Sequence, residues 1–307
     1  MSMIKTFFAL ALFILTRVNS LAQLDPLYAQ YLNNPILLNP AYTGINNRFN
    51  AVVAYRKQWA SFDGSPTTFS FASHMSFREN NKVGAGLIAV VDKIGDSRNT
   101  EISGTYSYKL DLGKNSGEKT LSFGLQAGMM NFRNDLTSVY PRDPNDPAFA
   151  FVNESRFNLG AGVMVKTETY LLGFSAPRII PTTIGQGGQK IQVYGQHFYL
   201  LGSYVFYLSE YVRLKPSVLV KATHGAPVSA DLNFNLNLEQ RYTVGILTRN
   251  FTTYGLLVQM NIKDYRVGYV FEAPTNNSLG TPFTSHEISI SLAMRVLSSH
   301  SSTFSNF

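Results

Sequence analysis

The sequence has no cysteine among its 307 residues. Disulfides, thiolate metal sites, cysteine nucleophiles and a lipid anchor on an N-terminal Cys are all excluded. Charge is scarce as well, at 15% of residues, against about 25% in soluble globular domains. What charge there is sums to +7. No Lys/Arg run accompanies that excess; the basic residues are scattered singly through strand-like segments, so nucleic acid is not an expected partner. His74, His197, His224, His286 and His300 stand apart, with no H-x-H or H-x-x-x-H pair to hold a metal. A G-x-S-x-G nucleophile elbow is missing. GQGG (185–188) lacks the Lys-Ser/Thr of a phosphate loop and reads as flexible spacing. In PRDPNDPAF (141–149), Asp143 and Asp146 lie beside prolines, where turn formation outweighs a Ca²⁺ site. No catalytic residue, cofactor or metal is therefore expected.

Long apolar runs are missing too. The first 22 residues have the parts of a secretory leader: Lys5, the apolar FFALALFIL (7–15), and Ser20-Leu21-Ala22 before Gln23. Nine apolar residues are too few for a spanning helix, which needs about 20, and Arg17 and Asn19 end the run. The alternative is an uncleaved anchor. On the leader reading, the mature chain starts at Gln23 beyond the inner membrane, and no later stretch is a candidate membrane helix.

Alternation is what the sequence does have. ADLNFNLNLE (230–239) sets Ala230, Leu232, Phe234, Leu236 and Leu238 against Asp231, Asn233, Asn235, Asn237 and Glu239. Successive strand side chains point to opposite faces, so this is a strand with one apolar and one wet face. That stretch alone leaves open whether the apolar face meets a core or lipid. RFNLGAGVMVK (156–166) and HEISISLAMRV (286–296) repeat the pattern, as does TTYGLLVQMNI (252–262) with Leu257 as an exception. About fourteen such segments follow one another, near 50–59, 66–77, 83–92, 100–112, 119–133, 154–167, 169–178, 190–208, 211–223, 226–239, 240–250, 252–262, 264–273 and 284–297. Many are about ten residues long, as tilted membrane-crossing strands are. Only 190–208 alternates poorly.

The connections choose between core and lipid. Those after segments 2, 6, 8, 10 and 12 are tight; those near 134–153, 179–189 and 274–283 are long, while DLGKNSGEK (111–119), long for a turn, and 248–251, short for a loop, fit less well. An outer-membrane barrel sorts its loops this way, with periplasmic turns on one rim and surface loops on the other. The expected fold is all-β: an antiparallel transmembrane β-barrel of about 14 strands over 50–297, followed by a polar tail, 298–307. Closure pairs every backbone group inside hydrocarbon. Apolar faces then meet outer-membrane lipid, while Arg56, Arg156, Arg213, Lys215, Lys221, Asp231, Arg266, Glu287 and Arg295 face the lumen. There the basic residues attract anionic solutes or an acidic partner segment, or form inward ion pairs and hydrogen bonds with Asp231, Glu239, Glu272 and Glu287. Glycines in the inward rows (Gly124, Gly128, Gly160, Gly162) permit curvature or close approach of something inside. Trp59 is read as an interface anchor, and strand-end aromatics as girdles.

Residues 23–49 do not alternate. Asn-Pro occurs at 34–35 and 39–40, which favours turns, yet the segment is too apolar for a free tail. Leu27, Tyr28, Tyr31, Leu32, Pro35, Leu38, Pro40, Tyr42 and Gly44 form a candidate plug that tucks into or under the barrel and occludes it. The alternative is a mobile periplasmic tail.

QLDPLYAQYLNNPILLNPAYTG (23–44) resembles the opening of PorP/SprF proteins, outer-membrane barrels of Bacteroidetes associated with the type IX secretion system. YRKQWASFDGSPTT (55–68), LLGFSAPRI (171–179), HFYLLGSYVFYLSEYVRLKPSVLVKATHGAPVSADLN (197–233) and SHEISIS (285–291) are also similar to family segments, in order along the chain. A departure is SSHSSTFSNF (298–307), which runs past the last strand. The resemblance implies a non-catalytic role in secretion or surface attachment of type IX cargo, including gliding adhesins, with contacts to periplasmic components of that machinery. A diffusion channel or transporter of the same fold is the alternative.

Overall fold

The computed structural model describes residues 28–77, 82–113, 118–135, 151–186, 189–224, 226–275 and 283–295. Its strands are β1 (Phe49–Lys57), β2 (Thr67–Phe77), β3 (Val83–Ile94), β4 (Ser97–Asp111), β5 (Lys119–Asn134), β6 (Val152–Thr167), β7 (Tyr170–Arg178), β8 (Thr182–Gln186), β9 (Gln189–Tyr194), β10 (His197–Tyr204), β11 (Phe206–Tyr207), β12 (Val212–Thr223), β13 (Ser229–Leu238), β14 (Tyr242–Arg249), β15 (Thr253–Ile262), β16 (Tyr265–Pro274) and β17 (Ser285–Met294). Each barrel strand pairs antiparallel with its neighbours. β10 bonds both β7 and β12, with β11 continuing its line, and β1 bonds both β2 and β17. The sheet therefore closes on itself, and with β10 and β11 taken as one stave it is a fourteen-strand barrel.

Burial along the strands is inverted relative to a water-soluble fold. In β4, Glu101, Ser103, Thr105, Ser107 and Lys109 are buried while Ile102, Tyr106, Tyr108 and Leu110 are exposed. In β13, Asp231, Asn233 and Asn235 are buried while Phe234 is exposed. Leu125 and Leu256 stand 62% and 60% exposed on the outer face. An apolar belt of this extent needs a nonpolar surrounding, and hydrocarbon supplies it. The chain sits in the outer membrane, its strands crossing the bilayer and its polar rows facing inward.

Tight turns gather at one rim. β13 and β14 are joined through Glu239 and Gln240 with φ of 52° and 55°, and Arg241 N–H donates to Leu238 O at 2.9 Å. Two central residues with positive φ make the turn whose twist suits antiparallel neighbours. The same geometry, at Asn250 and Phe251 (φ 50° and 54°), joins β14 to β15 at the opposite rim, and Gly95-Asp96 joins β3 to β4 there, so two surface connections are as short as turns.

Several boundaries differ from the alternation. The poorly alternating 190–208 is not one strand: β9 pairs with β8 in a separate hairpin, and the barrel strand begins at His197. The long connection expected at 179–189 therefore holds β8 and the start of β9. From His197 the alternation is sound, because His197, Tyr199, Leu201, Ser203 and Val205 are all buried and inward. Three of these are apolar or aromatic, which masked the pattern. β1 stops at Lys57, and Trp59 lies in the following turn with φ 53°. The loop around Asp143 and Asp146, the tail from 298, and Gly187-Gly188 lie outside the described residues.

Candidate functional site in the barrel interior

Residues 28–48 run through the bore before entering β1. Two short 3-10 turns, Pro35–Leu37 and Pro40–Tyr42, shape the segment, each with proline at its first position, where the missing N–H costs nothing. Asn39 caps the second turn by accepting from Ala41 N–H at 2.9 Å. Its amide also donates to Val163 O and Phe174 O of the wall, at 3.1 and 3.3 Å. One side chain thus satisfies a turn and two wall carbonyls.

The path is fixed by contacts around much of the circumference. Tyr28 lines small cavities with Arg178, Glu101, Asp231 and Arg249, near the ends of strands that carry the surface connections. Ala29 and Gln30 N–H donate to the Glu287 carboxylate at 2.8 and 2.9 Å, and Ser289 Oγ donates to Gln30 Oε1 at 2.7 Å. Asn233 donates to the Tyr31 hydroxyl at 2.7 Å. The chain then crosses to the opposite wall. Ser175 donates to Leu38 O at 2.7 Å, Thr43 Oγ1 donates to Thr105 Oγ1 at 2.9 Å, and Ser107 donates to Thr43 O at 2.5 Å. Gly44 N–H donates to His74 Nδ1 at 3.1 Å, and Lys109 donates to Gly44 O.

The wall is shaped to this segment. A Cβ on Gly124 would overlap the backbone of Pro40 and Ala41, and one on Gly84 would strike Thr43 O. Gly162 leaves room for the Asn39 amide and Gly268 for the Gln30 amide. Inward apolar residues, which break the alternation, also mark the contact. Met164, Leu171, Tyr199, Leu201 and Leu219 cluster with Tyr31, Ile36, Leu38 and Tyr42. Leu247, Leu257 and Val270 cluster with Ala29. Leu257, the exception in its strand, is thus a packing site for the segment.

The expected lumen charges fall into three groups. Arg56, Glu287, Asp231 and Lys221 lie in the half of the bore near the surface connections. Arg56 is buried against Glu272 and lies 3.4 Å from Glu287. Asp231 is gripped by Arg249 through Nε at 3.0 Å and Nη2 at 2.9 Å, and Arg249 also reaches Glu272 at 3.6 Å. Lys221 lines a small cavity with Tyr28 and Asp231. Arg213, Lys215 and Arg266 form the second group, lining a cavity of about 90 Å³ toward the tight-turn rim. Arg213 stacks over Tyr207 at 5.2 Å, and Arg266 donates to Asn261 at 2.8 Å and to Asn33 at 3.4 Å.

The last group is outside the buried interior. Arg156 is exposed near the start of β6, paired with Glu154, because the strand has already risen to the rim there. Arg295 follows the end of β17 and is exposed. Of the candidate plug residues, Tyr31, Pro35, Leu38, Pro40, Tyr42 and Gly44 are buried; Tyr28 and Leu32 are half-buried within the segment, and Leu27 is outside the described residues. Sequence reading missed Arg249, Glu101 and Arg178. Arg178 bonds Glu101 at 2.7 Å, and Glu101 also accepts from Ser103 and Gln126 at 3.1 and 3.0 Å. Arg249 is in phase with inward Gly245 and Leu247, a signal that was readable. Arg178 is not in phase, because the β7–β10 register shifts between His197 and Tyr199.

A polar-lined barrel of this kind has a counterpart among known families: residues 20–292 match the type IX secretion system membrane protein PorP/SprF. The chain belongs to the PorP/SprF family. It is a family of secretion-system membrane barrels rather than of enzymes. Among solved structures, the CymD monoaromatic hydrocarbon channel is similar at a TM-score of 0.51 and 11% identity, covering 91% of this chain and 98% of that one. A Pseudomonas aeruginosa FadL homologue matches at 0.48 and 11%, over 84% and 92% of the two chains. Acinetobacter baumannii Omp33 matches at 0.46 and 9%, over 81% and 99%. At such identities only the shared outer-membrane barrel fold follows, and of the three it rests on CymD. The curated proteins contain no match.

Proposed function

We propose that this PorP/SprF barrel is a non-enzymatic component of type IX secretion that anchors surface proteins, adhesins among them, or aids their export, and couples to periplasmic machinery. Its leader, residues 1–22, is removed, and residues 23–49 act as a plug. The observation that supports this reading best is the fit between the segment 28–45 and the wall. Backbone amides of Ala29 and Gln30 are held by Glu287, and glycines stand where Pro40, Ala41 and Thr43 press closest. A diffusion channel gains nothing from so many specific contacts across its bore, whereas an anchoring barrel needs a rigid, sealed body.

Planar-bilayer recording tests the plug. The purified barrel is expected to be silent, and deletion of 24–44 to open a steady current; a steady current from the intact barrel, unchanged by the deletion, favours the channel instead. Affinity purification from the native envelope tests the role. Recovery of a secretion-machine component or a large surface protein with the barrel is expected, and recovery of the barrel alone after crosslinking would refute the coupling.

A further inference from the structure

We infer that the outer wall of the barrel carries a binding site for a phosphate-bearing lipid headgroup, at the rim of the surface connections across β1 to β5. The strand register builds it. Lys93 stands directly opposite Arg98 across β3 and β4, and Arg98 directly opposite Arg133 across β4 and β5. On the other side of β3, Thr67 pairs with both Lys93 and Lys57, and Lys57 pairs with His286. These side chains lie in the outward phase of their strands, and Lys93, Arg98 and Arg133 are exposed. Like charges directly opposite each other, about 5 Å apart at Cα, weaken a sheet. Asp135 answers Arg133 at 2.9 Å. Among the described residues no Asp or Glu comes within ion-pair distance of Lys57, Lys93 or Arg98. Asp92, beside Lys93 in the chain, faces inward and accepts from Thr68. An anion from outside the chain is what balances the row.

Position makes that anion a lipid's. The row borders the apolar belt, strand by strand. Lys57 is the next outward residue past Tyr55, Thr67 the next past Phe69, and Arg98 follows Ile102 with only Thr100 between them in that phase. Tyr55, Phe69 and Ile102 are all exposed on the lipid face. A ligand here meets hydrocarbon-facing side chains and cations together, which suits an amphiphile rather than a free anion or an acidic peptide. Guanidinium and ammonium groups form charge-assisted bonds to phosphate oxygens, and Thr67 adds a hydroxyl donor. The site is also one-sided. No Lys or Arg faces outward on β7, β10 or β12 to β16, where outward positions near the same rim include Ala176, Phe198, Ala222, Ala230 and Thr248. Cations serving only general solubility would be spread round the circumference. With the tight turns in the periplasm, the orientation taken for the role above, the lipid belongs to the outer leaflet.

The test is native mass spectrometry of the purified full-length barrel in detergent, titrated with dioleoyl phosphatidic acid. Its phosphate monoester and two tails supply both parts of the ligand, and phosphatidylcholine with the same tails is the reference. The barrel is expected to hold phosphatidic acid more tightly than phosphatidylcholine. A basic residue beside an anionic lipid surface contributes about fivefold in affinity. The combined Lys57→Gln, Lys93→Gln and Arg98→Gln variant is therefore expected to bind phosphatidic acid at least about tenfold more weakly. The pair Arg241→Gln and Lys263→Gln, exposed at the tight-turn rim, is expected to leave binding unchanged. Equal binding by the triple variant, equal loss in the tight-turn pair, or no preference over phosphatidylcholine would overturn the site. Displacement by inorganic phosphate at equal concentration would give the row to a free anion, and displacement by hexaglutamate at matched charge to an acidic protein; either would overturn the lipid assignment. If the triple variant loses its heat-modifiable migration, Lys93→Gln alone is read, with about fivefold weakening expected and none overturning the proposal. The role proposed in secretion stands or falls separately, on co-purification.

Discussion

Glu287→Gln is the most direct perturbation of the interior segment. The native carboxylate accepts N–H from Ala29 at 2.8 Å and from Gln30 at 2.9 Å. Hydrogen bonds to a charged group contribute about 1.5–3 kcal/mol each. Glutamine keeps one carbonyl oxygen but turns an amide N–H₂ toward the other donor, so one bond is lost and the survivor is weakened. Arg56 is not stranded by the change, because it still bonds Glu272. Local opening of the segment should then cost about 2–3 kcal/mol less, which is about 30- to 150-fold in an equilibrium constant. Hydrogen exchange by mass spectrometry, on the barrel in detergent, reads this as faster exchange of peptides covering 28–33 with β4 and β5 unchanged. Wild-type exchange at 28–33 would refute the latch. So would uniform acceleration across every strand, which would mean that Glu287 supports the barrel and not the segment.

Other perturbations test the wall, the belt and the ion network. Gly124→Val places side-chain atoms on the backbone of Pro40 and Ala41; overpacking of about 1–3 kcal/mol is expected to fall on the segment, seen as current bursts in planar bilayers with the barrel still heat-modifiable. Ile246, 58% exposed on the lipid face of β14, is expected to tolerate Arg poorly, losing about 2–4 kcal/mol near the midplane in urea unfolding from vesicles. Arg at inward Thr243 should cost far less. Arg249→Met strands Asp231 beside Glu272 and should cost about 3–5 kcal/mol in the same assay, with Asp231→Asn restoring part of the loss.

Lipid made the strands legible. A sheet between hydrocarbon and a wet bore must alternate residue by residue, so ADLNFNLNLE announces its two faces, and loop lengths separate the rims except at the short surface turns 95–96 and 250–251 and the longer 112–118. The interior was legible in part. The run around Glu101, Ser103 and Thr105 shows its inward phase, but that Arg178 reaches Glu101 depends on a register shift that no spacing reveals. Asp231 meets Arg249 because β13 and β14 pair those two positions, and that pairing is set by the turn between the strands. Inward Leu257, Tyr199 and Leu201 looked like errors in a pattern. They are the positions where the wall stops facing water and begins facing another stretch of the same chain, and alternation has no symbol for that.

The glycines opposite Pro40, Ala41 and Thr43 make wall and filling a matched pair, like a mould and its casting. Transplanting residues 28–48 into a different barrel should therefore fail unless the hollows travel with them. Among related chains, bulk gained on one side of that fit ought to be given up on the other.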